Sequence, residues 1–204
     1  MKTILQASQK QKPARLSHSD AGGEKVLRQK ALEVNLNLIK TKKIQTVLKE
    51  MSGALKSQGD GVAIAASQIG YPLSIFIVSG KIFAKNFNKK EKTPPPSLPL
   101  PKGEEQEINP VRSAEKDLIF INPKISKLSR AKEWLPEGCL SVRWLYGKTF
   151  RSKKATITAY DENGKKFIRG ASGLLAQIFQ HETDHLNGIL FIDHAKDIKE
   201  ELPQ

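Results

Sequence analysis

The 204-residue sequence is poor in several residue types, and each shortage excludes something. There is one cysteine, Cys139. It cannot close an intrachain disulfide, so a disulfide-stapled secreted scaffold is excluded and a reducing compartment is expected. No apolar run approaches the roughly 18 residues of a membrane-spanning helix, so none is predicted. The N-terminal stretch "MKTILQASQKQKPARLSHSD" has no apolar core and does not read as a secretory signal. It is basic, with no acid before Asp20, so organellar targeting is the alternative to a cytoplasmic location. Acidic residues are also scarce: 21 Asp and Glu against 34 Lys and Arg, a net charge of +13. That balance suits polyanionic surroundings such as RNA or the ribosome. The lysines are scattered, however, and no motif for sequence-specific nucleic-acid reading accompanies them.

At this length a single domain, 1–204, is expected. Ile44, Val47, Leu48, Met51 and Leu55 recur at steps of three and four, which predicts an amphipathic helix of about four turns. Branched apolar residues predict strands at Ser74 to Val78 and in "LIFINPKI". Between them, residues 81–116 are rich in Pro, Lys and Glu and poor in core formers, so a flexible insertion is expected there. "KATITAY-DENG-KKFIRG" alternates around Asn163-Gly164, a hairpin signal.

Near the end stands "FQHETDHLNG". Leu174, Ile178, His181 and His185 fall on one helical face, and Gly188 follows where a C-cap glycine belongs. Two histidines four apart with a glutamate beside the first form the H-E-x-x-H pattern of metal-dependent hydrolases. Two ligands rarely complete a site, so a third is needed. In one group of zinc peptidases it is a histidine six residues beyond the second; here that position is Phe191, and His194 comes three residues late. In another group it is a glutamate on a later helix, and only Glu200 and Glu201 remain. Upstream, Cys139 in "LPEGCLS" offers a thiolate, which would complete three protein ligands and leave a place for water.

These stretches together resemble the peptide deformylase family. "QHETDH" (Gln180 to His185) and "EGCLS" (Glu137 to Ser141) match two of its motifs in full. "GVAIAASQ" (Gly61 to Gln68) matches the third, G-x-G-x-A-A-x-Q, except for Ala63. The resemblance runs from about Val26 to Asp193. It implies an α+β fold, with antiparallel β-sheets packed around a central helix carrying the histidines. It implies removal of the formyl group from the N-terminal formyl-methionine of new polypeptides, with nascent chains as partners and the ribosome near its exit tunnel as a further one. One divalent metal is implied on Cys139, His181 and His185, with Fe2+ first and Zn2+, Ni2+ or Co2+ as alternatives. Glu182 is implied as the proton carrier, and Gln68 and the N–H of Leu140 as stabilisers of the oxyanion. Gly61, Val62, Ala63, Ile64, Leu135, Glu137, Leu174 and Ile178 are expected around the substrate, with Glu137 and Asp184 also orienting the ligands. Ala63 in place of glycine is expected to alter peptide binding without abolishing activity.

Overall fold

The computed structural model describes residues 2–7, 21–84 and 116–202. Helix α1 spans Ala21–Arg28 and α2 spans Lys42–Lys56. Short strands β1 (Ala63–Ala65) and β2 (Ile75–Val78) follow, separated by a 3-10 turn at Ala66–Ile69. Then come β3 (Leu118–Leu128), β4 (Lys132–Gly138), β5 (Leu145–Ser152), β6 (Lys154–Tyr160) and β7 (Lys166–Ser172). Helix α3 spans Gly173–Leu186 and β8 spans Lys196–Glu200. Two sheets result, antiparallel throughout: β1-β2-β3-β6-β7 and β4-β5-β8. This is the expected α+β architecture.

The five-stranded sheet is apolar on both faces at its β1-β2-β3 end, because each face carries a helix. Ile64, Ile75, Ile77 and Ile121 point to one side and pack with Ile44, Val47, Leu48, Met51 and Leu55 of α2. These are the five positions whose spacing predicted that helix. Ala63, Ala65, Phe76, Val78 and Phe120 point to the other side and pack with Leu174, Ile178 and Phe179 of α3. Phe120 and Phe179 meet edge-on at 5.2 Å, and Phe76 stacks on Phe120 at 4.5 Å.

Gln180 ties α3 to the smaller sheet. Its amide accepts from the Ser152 N–H at 2.9 Å and donates to the Ser152 carbonyl at 3.0 Å. The helix is thus clamped between the two sheets. The predicted hairpin is β6–β7, and its turn is longer than a two-residue loop. Asp161 pairs with Lys165, the Gly164 N–H returns to the Asp161 carbonyl, and only Gly164 takes positive φ (+76°). That is a three-residue loop closed by a left-handed glycine. Asn122 of "FINP" stands in a bulge of β3 at φ +49°, where its amide bonds both the N–H (2.8 Å) and the carbonyl (2.7 Å) of Val34.

The end of α3 is fixed by Gly188. The Ile189 N–H bonds the Asp184 carbonyl and the Gly188 N–H bonds the His185 carbonyl, the paired bonds of a Schellman cap. Gly188 has φ +73°, and a Cβ there would run into the backbone carbonyl of Arg28. We expect Gly188→Ala to cost at least about 1–3 kcal/mol from the left-handed backbone alone, with the collision added. Chemical denaturation measures this; an unchanged midpoint would show that the chain end relaxes freely.

Of the segment 81–116 expected as an insertion, residues 81–84 and 116 are described. Residues Gly80–Phe83 form a 3-10 turn, and Ile82 packs on the α3 side of the core. Residues 85–115 of that expectation lie outside the described residues. Among the described residues, no helix is long and apolar enough to cross a membrane.

Candidate active site

Helix α3 presents His181 and His185 one turn apart, ring centroids 4.9 Å from each other. Cys139 follows the last residue of β4 and meets them: its Sγ lies 3.2 Å from His185 Nε2. The donor atoms of Cys139, His181 and His185 all lie within 4.8 Å of one another. Among the described residues this is the cluster of three such donors. His194 is not in it; its Nε2 sits 3.8 Å from Asp184 Oδ2. Phe191 is buried in the apolar cluster beneath the smaller sheet. Of the third ligands weighed from sequence, the upstream cysteine is the one that reaches the histidines.

Of the two histidines, His181 is held from behind. His181 Nδ1 bonds Glu137 Oε1 at 2.6 Å, which directs Nε2 toward the cluster. Glu137 is buried and receives Arg151 through two bonds, Nη2 to Oε1 at 2.7 Å and Nε to Oε2 at 3.0 Å. Thr149 donates to Oε2 at 2.5 Å, and the third nitrogen of Arg151 reaches Asp184 at 2.6 Å. Burial opposes ionisation of Glu137, but His181 and Arg151 outweigh it and hold the carboxyl well below the usual range. Burial and the neighbouring His181 push His185 well below its ordinary value, toward the neutral imidazole that binds metals.

Glu182 lies beside the cluster, 3 % exposed, with Oε2 lacking any hydrogen-bond partner. Burial raises its pKa to about 7, with His181 pulling the other way. A carboxylate that is buried, unpartnered and poised near neutrality is a candidate for moving a proton. Gln68 is fixed at both ends of its amide. Its Oε1 accepts from the Ala65 N–H at 2.8 Å, and its Nε2 donates to Ser141 Oγ at 3.1 Å with Cys139 Sγ at 3.7 Å. The "AASQ" turn and the "EGCLS" turn are therefore stitched together across the donor cluster. Residues 2–7 add a seam there: the Leu5 N–H bonds the Gln68 carbonyl and the Ala7 N–H bonds the Ser141 carbonyl.

A cleft opens over these groups. Gly61, Val62 and Ala63 form one wall, and Gly138, Cys139 and Leu140 form the other. Ile178, His181 and Glu182 make the floor, with Gln68, Asp60, Arg143 and Tyr146 also lining it. Of the expected substrate residues, Gly61, Val62, Ala63 and Ile178 are in this lining. Ile64 is not, because successive strand residues face opposite ways and Ile64 points into the α2 side of the core. Leu174 packs in the α3 core two turns before His181. Leu135 pairs with Thr149 within the smaller sheet, and Glu137 lies beneath the cleft, bonded to His181 and Arg151. Ala63 keeps a negative φ and pairs with Val78, so its backbone makes no use of a glycine's freedom. We therefore expect Ala63→Gly to leave metal content unchanged and to cost about 0.5–1 kcal/mol as a glycine inside a strand; metal analysis and thermal unfolding check both.

The sequence profile of the polypeptide deformylases matches residues 21–201. The chain belongs to that family. Peptide deformylase 1A of Arabidopsis thaliana, a chloroplast and mitochondrial protein, is 34% identical over 191 residues, 93% of this chain and 65% of its own length. The peptide deformylase of Borreliella burgdorferi is 34% identical over 166 residues, 78% of this chain and 81% of its own. Among solved structures, the Ehrlichia chaffeensis peptide deformylase superposes with a TM-score of 0.66 at 25% identity, covering 95% of this chain and 87% of that one. The class I type b enzyme of Acinetobacter baumannii gives 0.64 at 26%, covering 84% and 93%.

On this deformylase fold, several site residues escaped the sequence reading. Arg151 and Thr149 hold Glu137 from adjacent positions on one face of β5, but that strand was not predicted. Arg143 clasps Asp60 with two bonds, at 2.9 and 3.0 Å, across the mouth of the cleft. No local pattern in the sequence pairs those two. Tyr146, raised to about 12 by burial and by Asp60, sits beside them.

Proposed function

We propose that this deformylase hydrolyses the formyl amide at the N-terminal formyl-methionine of newly made polypeptides. The observation that carries the proposal is the convergence of three donors with a buried, unpartnered carboxylate at the base of a cleft. Cysteine sulfur with two imidazoles suits a borderline divalent ion such as Fe2+, Zn2+, Ni2+ or Co2+. Cys139, His181 and His185 would hold it, and Fe2+ is our first candidate. Such an ion, when bound, supplies Lewis-acid activation of water and of the carbonyl oxygen.

The chain's own groups do the rest. Glu182 Oε2 takes a proton from the attacking water and returns it to the departing amine. Gln68 Nε2 and the N–H of Leu140 serve as donors to the oxygen that gains charge as the formyl carbon becomes tetrahedral. Gly61 to Ala63 offer a strand edge for the peptide backbone, and Val62 and Ile178 an apolar contact for the methionine side chain. Glu137 and Arg151 keep His181 in one orientation and Asp184 anchored. The ribosome near the exit tunnel, as the source of formylated chains, and a cytoplasmic location accord with this reading. Nothing in the cleft favours a peptidase over it.

Formate release from formyl-Met-Ala-Ser, measured on protein purified without oxygen and loaded with single metals, tests the proposal. We expect turnover with at least ferrous iron and none after chelation. Inactivity with every metal would leave a deformylase fold without the reaction.

A further inference from the structure

The smaller sheet has a second face, turned away from α3. There Trp134 of β4 and Phe150 of β5 stand opposite one another in register, ring centroids 5.2 Å apart. They are 43% and 51% exposed. Single exposed aromatics are ordinary, but two adjacent rings on a regular strand pair form a platform. Cations surround it. Lys196 Nζ lies 4.8 Å from the Trp134 ring centroid and Lys132 Nζ 5.8 Å from that of Phe150. Lys148, in register with both Pro136 and Lys196, lies on the same face, and the β3–β4 turn adds exposed Arg130. The nearby carboxylates are already engaged: Glu133 with Lys153 and Asp197 with Lys148, each at 3.1 Å.

We propose that this face docks single-stranded RNA. Unstacked bases present flat π-faces to Trp134 and Phe150, and the phosphates between them meet Lys132 and Lys196. Aromatic rings interleaved with cations on an open sheet are the two elements that sequence-tolerant single-strand binding requires. The net charge of +13 adds long-range attraction for a polyanion. Other occupants fit less well. A second copy of the chain would bring lysine against lysine, and an apolar peptide would leave the lysines desolvated without counter-charge. The inference is independent of the hydrolase reading, since neither ring lines the cleft.

The test is fluorescence anisotropy of a short labelled oligouridylate with the full-length protein, titrated over a range of salt. We expect binding that weakens steeply as salt rises. Trp134→Ala/Phe150→Ala should weaken it by roughly 10-fold or more, from the loss of two stacking platforms. Lys132→Glu/Lys196→Glu should weaken it too and flatten the salt slope. Both variants should unfold at the wild-type temperature, or within a few degrees of it. A base-paired hairpin RNA should bind the wild type less tightly than the single strand. Three results would overturn the proposal: no binding by the wild type at low salt, aromatic and charge-reversed variants that bind like the wild type, or self-association lost in the aromatic variant while RNA affinity is unchanged.

Discussion

Glu182→Gln should release formate roughly 10²–10⁴-fold more slowly than the wild type while binding the same amount of metal, because glutamine keeps the shape and hydrogen-bonding size of glutamate but cannot accept a proton. The same variant should gain stability in the metal-free state. Glu182 titrates near 7 in the folded protein against 4.5 for the ordinary group, and burial is the cause. An acid whose folded pKa is raised favours folding only while protonated; its contribution is complete below about 4.5 and is lost as pH rises through about 7. Metal-free Glu182→Gln should therefore match the wild type near pH 4.5 and exceed it in melting temperature at pH 8. A bound dication draws the carboxyl back down and narrows the difference. Kinetics, metal content and melting curves at two pH values check the three statements separately. Wild-type turnover in the variant would remove Glu182 from the chemistry.

Arg151→Met should be the most damaging substitution to stability outside the ligands. Arg151 is nearly buried and makes two bonds to Glu137, whose side chain is fully buried, and one to Asp184. Removing the cation leaves the Glu137 carboxylate with Thr149, Gln177 and His181 but without the guanidinium that bonds both of its oxygens. Breaking a buried pair from one side typically costs about 3–5 kcal/mol, and in a domain of this size that lowers the melting point by roughly 10 °C. His181 takes its orientation from Glu137, so metal affinity should fall by roughly 10–100-fold as well. Arg151→Lys should recover only part of either loss, since an ammonium cannot reproduce the fork of bonds. A metal-loaded melting temperature within a few degrees of wild type would show that the Glu137–Arg151 pair is dispensable.

The sequence made some of this architecture legible and hid the rest for identifiable reasons. Helix α2 was readable because one of its faces is buried against a single sheet, which keeps the apolar spacing clean. The β6–β7 hairpin was readable because Asn163-Gly164 must turn. Helix α3 was readable because His181 and His185 share a face with Ile178. The smaller sheet was not. Strand β4 contains Pro136, which an edge strand tolerates but which argues against a strand when read locally. Strand β8, "KDIKE", is charged because it is the other edge. With β5 unseen, the alternation that places Thr149 and Arg151 on one face was unseen too, and so was the anchor of Glu137. The substrate wall was half legible. Gly61 to Ala63 line the cleft, but a contiguous list that ran on to Ile64 ignored the two-residue period of a strand. Helical spacing likewise put Leu174 on the histidine face without saying that this face enters the core two turns earlier.

The central claim is that Cys139, His181 and His185 together hold one divalent ion. X-ray absorption of the zinc-loaded protein tests it most directly. The account predicts a single sulfur scatterer at about 2.3 Å and two imidazole nitrogens at about 2.0–2.1 Å, with the sulfur shell absent in Cys139→Ala. A first shell without sulfur in the wild type, or one unchanged by that substitution, would contradict it.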